Sequence, residues 1–424
     1  MNTNESLKKN LRLVISLALL VRILLILIFQ KDWSFMNQDE NNNYTIAQNY
    51  LLGHGYSLWD AGKHAWVSTS FHSTFNVFLY MGLQMFHIST TVWVVFIQFI
   101  STLLYAISAI YFLKLSQKVL ADKYALWATI LYLFFPSTVF YVGPLFAYEN
   151  IVAPFLIITF WQLLQVLQGQ WRSNYWFSIP VMATISILIR PNILLVYACL
   201  FLFIIILSLR KSNVRAIILS ILTGGIIAVA HIPTLEKNKK QFGAYILNTQ
   251  SGFEMLQGHN PTARGSWRGG WQEPGNPLYE YAHTSIAGID SMNEYQESKA
   301  RQQLAIQWIC QNPEKEIQLN IRKLGIYFLP KNYEVMPLSQ IPNPINAIVY
   351  LLAIVGIGML TFKKQLSATW FIYITPLIGS IGVSMVYFVG YRWRFYAEPF
   401  LCLLAIFAIQ QILTKKNTLN IPRA

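Results

Sequence analysis

The sequence has few charged residues. Asp, Glu, Lys and Arg together make up 12% of the 424 residues, while hydrophobic residues make up 54% and the mean hydropathy is +0.41. Soluble globular domains carry roughly twice that share of charge. The composition therefore excludes a soluble globular protein and indicates an all-α polytopic membrane protein.

Acidic residues are scarcer than basic ones, 18 against 32, which gives a net charge of +14. This surplus does not indicate a nucleic-acid partner, because the long polar segment after residue 232 is almost neutral. Residues 233–343 contain eleven Lys and Arg against ten Asp and Glu. The excess lies in short loops between apolar spans, as the positive-inside rule requires. Membrane lipids are the expected surroundings.

The sequence also lacks cofactor and nucleotide signatures. It has three cysteines, two of them in apolar runs, so no disulfide framework is predicted. The histidines are scattered without metal-ligand spacing. Phosphate-binding loops and nucleophile elbows are absent, which argues against a nucleotide-driven pump. No cofactor follows from the residues, and they leave open whether a divalent metal assists.

The apolar runs predict about ten transmembrane helices in two modules. Residues 1–232 hold about seven spans, residues 233–343 form a mainly helical external segment, and residues 344–424 hold about three more spans. This arrangement places nearly all short-loop Lys and Arg residues on one side of the membrane. We therefore expect a cell (plasma or inner) membrane protein with a cytoplasmic N-terminus.

Three arginines on the predicted outer boundary oppose this charge rule: Arg190, Arg392 and Arg394. Snorkelling of the long side chains to the headgroups is the ordinary explanation for such residues. An anionic partner explains them better, because a guanidinium binds phosphate oxygens with two parallel hydrogen bonds.

The first external loop, residues 31–90, carries the adjacent acids Asp39 and Glu40. Tyr44 follows at helical spacing, which predicts a short helix on the membrane surface that ends at the next glycines. The stretch 71–87 predicts a second interfacial helix. Local pattern alone leaves open whether the two acids are functional or merely solvated.

In the external segment, Ser291 followed by Glu294 predicts a capping box and a helix that runs to about Gln311. A second helix is expected from Glu314 to Leu324.

Several stretches, taken in order, resemble one family. They are Asp39-Glu40 with Tyr44, the segment from Pro136 to Glu149, Arg190-Pro191, Gly258-His259-Asn260-Pro261, and Tyr391 to Pro399 with its Arg-Trp-Arg core. They resemble the polytopic glycosyltransferases of the GT-C fold, in particular the bacterial protein-mannosyltransferase-like (glycosyltransferase family 39-like) group. The resemblance covers about nine-tenths of the chain.

The resemblance implies inverting transfer of a sugar from a polyprenyl-phosphate donor to an acceptor on the outer face. The acceptor could be a lipid, a glycan or a protein. In the family pattern the acid of the first external loop is the general base. That role maps onto Asp39, with Glu40 as its competitor, while Arg190, Arg392 and Arg394 would bind the donor phosphate. The substrate-positioning candidates are Glu149, His72, Tyr44, His259, Asn260 and Tyr396.

This chain departs from the family pattern near two of these candidates. It has His72-Ser73-Thr74 where many relatives have two prolines after the histidine, and it has His259 where relatives often have asparagine. For Glu149, stabilisation of a helix N-terminus is as good an explanation as a role in catalysis.

The chemistry agrees with the residues independently of the family. Sugar transfer needs a carboxylate that accepts the proton of the attacking hydroxyl and cations that stabilise the departing phosphate. Two alternatives stay open at this stage. A membrane polysaccharide polymerase or ligase would depend on the arginines and tolerate loss of Asp39, whereas a secondary transporter would show no transfer at all.

Overall fold

A computed structural model of the chain describes residues 3–29, 38–60, 65–142, 149–267, 274–330, 343–362 and 368–419. In chain order, the helices are α1 (Thr3–Phe29), α2 (Gln38–Leu51), α3 (Thr74–Met85), α4 (Thr90–Ser116), α5 (Asp122–Phe134), α6 (Pro136–Val142), α7 (Glu149–Leu167), α8 (Tyr175–Ile189), α9 (Leu194–Arg210), α10 (Val214–Ala230), α11 (Ile232–Phe242), α12 (Gln250–Gly258), α13 (Pro277–Ser285), α14 (Glu294–Gln311), α15 (Pro313–Tyr327), α16 (Pro344–Phe362), α17 (Ala368–Val386), α18 (Tyr391–Arg394) and α19 (Glu398–Leu419). Single 3-10 turns lie at Pro191–Ile193 and Ile289–Ser291. The described part is thus an all-α membrane protein with one small sheet.

Six of the described helical segments are long and apolar enough to cross a membrane: α1, α4, α7, α9 with its preceding turn, α10 joined to α11, and α16. Helices α8, α17 and α19 are also apolar, but their apolar stretches are shorter. The ten predicted spans are therefore not confirmed as such. The expected boundary at residue 232 falls between α10 and α11, inside one of these six segments.

Proline breaks the predicted third span. Helix α5 ends at Phe134 and α6 begins at Pro136, with Phe135 extended between them (φ −61°, ψ 135°). Proline has no amide hydrogen to continue the ladder and disfavours helical geometry in the residue before it. The apolar pattern alone predicts one continuous third span from Tyr124 to about Tyr141.

Close helix packing in the bundle depends on small residues. A Cβ on Gly356 of α16 would lie 2.5 Å from the Leu404 carbonyl oxygen of α19, and one on Gly379 of α17 would lie 2.6 Å from the Val196 Cα of α9. Because lipid is as apolar as the helices, such close contact is what holds membrane helices together. The outward faces keep large apolar side chains exposed, among them Leu202 and Leu351.

The first external loop contains both predicted helices, α2 and α3, and an antiparallel hairpin that was not predicted. Strands β1 (Ser57–Asp60) and β2 (Ala65–Ser68) pair directly after α2. Gly53 and Gly55 adopt positive φ angles of 88° and 73° in the turn that ends α2. Ser73 caps α3 through its side chain.

The predicted capping box in the external segment was wrong by two residues. Asn293 caps α14 and pairs reciprocally with Gln296. Ser291 belongs to the preceding 3-10 turn, and Glu294 instead accepts hydrogen bonds from Thr249 and from the Ser70 amide, the latter at 2.7 Å. Glu294 therefore ties the external segment to the first loop. The second predicted helix is present as α15.

Candidate functional site

Three charged side chains that are far apart in the sequence meet at one end of the bundle. The Arg392 guanidinium lies 2.7 Å from Oδ2 of Asp39, and the Arg190 guanidinium lies 3.5 Å from the same oxygen. All three are partly shielded, with 24% of the Asp39 side chain exposed, 21% of Arg392 and 16% of Arg190. One carboxylate and two guanidiniums therefore share a partly dry site.

Local structure explains how each group reaches the site. Asp39 lies in the first turn of α2, Arg190 ends α8, and Arg392 lies in α18. Pro191 follows Arg190 directly, so α8 stops there and the arginine has extended backbone (φ −136°, ψ 93°).

Glu40 occupies a different position from its neighbour. Its side chain is 1% exposed, and its Oε1 lies 3.9 Å from the Arg190 guanidinium. Asn43 donates to Oε2 at 3.1 Å and the Tyr80 hydroxyl donates to the same oxygen at 3.4 Å. Because Glu40 is buried beside Arg190, it is better placed to orient that arginine than to contact a substrate.

A small polar cavity of about 50 Å³ lies beside Asp39 and Arg190. Amides, hydroxyls and imidazoles supply most of its polar lining: Asn43, His72, Ser73, Asn76, His231, Thr234, Asn248 and Gln250. The cavity as it stands has room only for groups of about the size of water molecules. A sugar would require the ion-paired side chains to move apart.

The site favours an ionised Asp39 and a neutral His72. Burial alone would raise the pKa of Asp39, but the Arg392 and Arg190 guanidiniums outweigh it and hold that pKa well below its usual range. Burial lowers the pKa of His72 to about 4, against the opposing effect of Asp39. The imidazole Nε2 lies 3.2 Å from the Asn42 amide nitrogen.

A further acid, Glu254 of α12, faces this site and was missed by the sequence analysis. Burial raises its pKa to about 7, and its charge interacts with Arg392, Asp39 and Arg190. Gln250, which lines the cavity, donates to Glu254 at 2.8 Å. Glu254 directly follows the Ser-Gly-Phe stretch of the external segment, but no spacing in the sequence connects it with Asp39.

The structure places Arg394 away from Asp39. Its guanidinium donates to the carbonyls of Tyr327 (2.6 Å) and Leu329 (2.9 Å) and lies 3.5 Å from Glu398. The side chain is 2% exposed. This geometry ties the end of α15 to the start of α19 and does not support a phosphate-binding role for Arg394.

His259 belongs to a buried cluster below the site, which we call the α15 clamp: His259, Glu316, Lys323 and the carbonyls of residues 385–387. His259 Nδ1 lies 3.0 Å from Glu316, and its Nε2 lies 3.1 Å from the Lys323 ammonium. Lys323 also donates to the Tyr387 carbonyl at 2.6 Å and to the Met385 carbonyl at 3.0 Å. The clamp fixes the backbone a few residues before Arg392.

The other predicted positioning residues are structural or lie elsewhere. The Asn260 side chain closes α12 by bonding the Leu256 carbonyl at 2.8 Å. Tyr44 packs edge-on against Tyr80, and Tyr396 is buried in the bundle core. Glu149 begins α7, but its side chain lies outside the described residues. Of the eleven predicted site residues, five therefore lie together in the structure: Asp39, Glu40, His72, Arg190 and Arg392.

Metal binding has no obvious ligand set in the described part of the chain. There, no three His, Cys, Asp or Glu side chains are grouped closely enough to hold an ion.

Comparison with solved structures finds the same fold in archaeal oligosaccharyltransferases. The chain aligns with AglB from Archaeoglobus fulgidus, solved with an inhibitory peptide and a dolichol-phosphate, at a TM-score of 0.52 and 11% identity over 99% of this chain and 52% of that chain. It aligns with the apo form of an oligosaccharyltransferase from the same organism at 0.51 and 11%, over 96% of this chain and 51% of that one. AglB is a glycosyltransferase of the GT-C fold. The chain has the GT-C fold.

This result confirms the fold expected from the sequence, whereas the resemblance to the bacterial protein-mannosyltransferase-like group stays a prediction. The chain spans about half the length of the oligosaccharyltransferases it matches. Searches against models of known families and against curated protein sequences find no match.

Proposed function

We propose that this protein is an inverting membrane glycosyltransferase that uses a polyprenyl-phosphate-linked sugar, with Asp39 as the general base. The observation that carries the proposal is the meeting of Asp39 with Arg392 and Arg190 at the edge of a polar cavity. The GT-C fold supports the reaction class, and the dolichol-phosphate bound to AglB supports the donor class.

The proposed reaction begins with the displacement of an ion pair. An incoming donor phosphate competes with Asp39 for the two guanidiniums, which bind phosphate oxygens at least as well as a carboxylate. Arg190 makes the longer contact with Asp39, at 3.5 Å against 2.7 Å for Arg392, and is therefore the first candidate to transfer to the phosphate. Arg190 also lines the cavity, so its movement would enlarge a space that is too small for a sugar in the present arrangement.

The chemical step then uses the released carboxylate. Asp39 accepts the proton of the acceptor hydroxyl while the acceptor oxygen bonds to the anomeric carbon of the sugar. The bond from that carbon to the phosphate oxygen breaks, and polyprenyl phosphate leaves toward the guanidiniums, which stabilise its extra negative charge. Attack and departure on opposite faces of the carbon give inversion.

Three neighbouring groups have supporting roles in this scheme. Glu40 orients Arg190 by contact with its guanidinium, and the Tyr80 hydroxyl holds Glu40 in place through a buried hydrogen bond. Neutral His72 can exchange a hydrogen bond with a sugar hydroxyl without adding charge to the phosphate site. We place this site on the outer face of the cell membrane, with the N-terminus in the cytoplasm.

The test is sugar transfer by the purified full-length protein in liposomes that contain a polyprenyl-phosphate sugar. Asp39→Asn keeps the shape of the side chain and removes the base, so transfer should fall by roughly 10²- to 10⁴-fold. Asp290→Asn is the matched control, because that external aspartate is 83% exposed and lies in the 3-10 turn before α14.

Three outcomes separate the candidate functions. Loss of transfer in Asp39→Asn but not in Asp290→Asn supports the proposal. Full activity of Asp39→Asn together with loss in Arg392→Gln would favour a polymerase or ligase that depends on its arginines. Absence of transfer by the unmutated protein across donor sugars, together with sugar uptake, would favour a transporter.

A further inference from the structure

A second charged site lies at the opposite end of the bundle from Asp39. Helix α8 runs from Tyr175 to Arg190 at the candidate site, and α9 runs back to Arg210. At a rise of about 1.5 Å per residue, the 17 residues of α9 span about 25 Å, close to the thickness of a hydrocarbon core. The far ends of these helices therefore lie near the opposite membrane surface.

Two tight turns line an open pocket of about 410 Å³ there, which we call the basic pocket. Gln168, Gly169 and Trp171 line it from the turn between α7 and α8, and Lys211, Asn213 and Arg215 line it from the turn between α9 and α10. Asn213 ties the two turns together by donating to the Val166 carbonyl at 2.8 Å. This hydrogen bond fixes the two turns relative to each other around the pocket.

Among the described residues, the cations of the basic pocket have no acidic partner. Residues 150–235 contain no Asp or Glu; they include both turns and the adjoining helices except for Glu149, the first residue of α7 at the end away from the pocket. Within the described residues no ion pair engages Lys211 or Arg215, and both are exposed. Arg172 and Arg210 add two more positive charges beside the pocket. Two like charges that line one pocket repel each other unless an anion lies between them.

The aromatic and apolar surroundings indicate that this anion belongs to a lipid. The Arg215 guanidinium lies 5.9 Å from the centre of the Trp171 ring, which is a cation–π contact. Because tryptophan favours the membrane–water interface, this contact keeps the guanidinium at the level of the lipid headgroups. Phe177, Leu209 and Val214, close in sequence to the pocket residues, are 73%, 63% and 60% exposed. These side chains provide an apolar surface for an acyl chain next to a cationic pocket for its headgroup.

We infer that the basic pocket binds the phosphodiester headgroup of an anionic glycerophospholipid in the leaflet opposite the candidate site. Positive charge alone would follow from membrane orientation, and it would not require two cations to line one pocket with a guanidinium beside a tryptophan ring. Basic pockets between transmembrane helices are a known structural solution for such headgroups. The inference does not depend on the reaction proposed for Asp39.

The test is native mass spectrometry of the delipidated full-length protein titrated with phosphatidylglycerol or phosphatidylcholine. The double variant Lys211→Gln/Arg215→Gln should bind phosphatidylglycerol roughly 10- to 30-fold more weakly, as expected for two interfacial cations. Phosphatidylcholine should bind weakly to every form.

The matched control is Lys114→Gln/Lys123→Gln. These lysines are also exposed, lie on α4 and α5 next to aromatic rings, and on the predicted topology face the same side of the membrane, but they do not line the pocket. This variant changes the net charge by the same amount, so it should retain phosphatidylglycerol. Arg215→Lys keeps the charge and loses the planar guanidinium beside Trp171, so its phosphatidylglycerol affinity should fall between those of the unmutated protein and the double variant.

Equal loss of phosphatidylglycerol in the pocket and control variants would overturn the inference, because it would indicate general surface attraction. No loss in either variant would overturn it as well. Retention of inorganic phosphate without lipid retention would show a free-anion site and refute the lipid assignment. Unfolding midpoints of the lipid-free variants, expected to be unchanged, check that all of them are folded.

Discussion

Gly258 provides a sharp test of how the external segment positions Arg392. A Cβ at this position would lie 1.7 Å from the Tyr387 carbonyl oxygen, whereas real Cβ contacts stay beyond 3.0 Å. Gly258→Ala therefore requires the two backbones to separate by about 1.3 Å, the difference between these distances. The same carbonyl accepts the 2.6 Å hydrogen bond from Lys323, so the separation also disrupts the α15 clamp.

The expected destabilisation has two parts. Overpacking of a close contact costs about 1–3 kcal/mol, and weakening a hydrogen bond from a charged donor adds about 1.5–3 kcal/mol. We expect Gly258→Ala to lower the free energy of unfolding by roughly 2.5–6 kcal/mol. Because the clamp lies just before Arg392, the transfer rate of the protein that remains folded should also fall.

Gly325→Ala is the matched control on α15. An added Cβ there meets nothing within 4 Å, and alanine favours a helix interior over glycine by about 0.5–1 kcal/mol. The assay is thermal unfolding of both variants in detergent, followed by tryptophan fluorescence. Trp393 lies 6.2 Å from the Tyr387 ring and reports on this contact. Equal unfolding midpoints for the two variants, or a normal midpoint for Gly258→Ala, would refute the reasoning.

Three further predictions concern the charge network. In the unmutated protein the KM for the donor should rise from pH 6 to 8, because Glu254, with a pKa of about 7, becomes negative beside Arg392 and competes with the donor phosphate. In Glu254→Gln the KM should stay constant over this range. Parallel pH profiles of the two proteins would contradict this prediction. Because the pKa of His72 is lowered to about 4 in the folded state, the unfolded chain binds its proton more readily, and stability should be lost as the pH falls from about 6.5 towards 4. His72→Gln should weaken that loss in an unfolding series over pH, and an unchanged series would refute the assignment. Arg394→Met should leave the buried Glu398 without its cationic partner and the Tyr327 and Leu329 carbonyls without the guanidinium donor, at a cost of about 3–5 kcal/mol. Arg394→Met/Glu398→Gln should recover part of the folded yield on size-exclusion chromatography, and full yield of the single variant would contradict the prediction.

Composition and charge asymmetry could predict the membrane class, and the external-loop acid with boundary arginines could predict the core of the site. Arg190 and Arg392 oppose the positive-inside rule at the predicted outer boundary, and such exceptions are visible in a sequence. Arg394 breaks the same rule for a structural reason, because its partners are backbone carbonyls of α15. Sequence reasoning could not separate these two cases.

Other features depended on tertiary contacts that no local pattern records. Glu254 faces the site because α12 packs against α17 and, through Phe253, against Phe71 of the first loop. His259 likewise finds its partners on α15 and α17. The hairpin after α2 is four residues per strand, too short for a clear alternation. The misplaced start of α14 arose because Ser291 and Asn293, two residues apart, are both residue types that cap helices, and because Glu294 bonds Ser70, 224 residues away in the sequence.

The 353 residues between Asp39 and Arg392 give the site an order of assembly. At about 5–20 residues per second, the ribosome adds the arginine roughly 20–70 s after the aspartate. During that interval the acid has only Arg190, which arrives midway, as a cationic neighbour. A nascent chain therefore completes its ion-paired centre only when the last helices enter the bilayer, so a prematurely terminated product would be inserted yet inert.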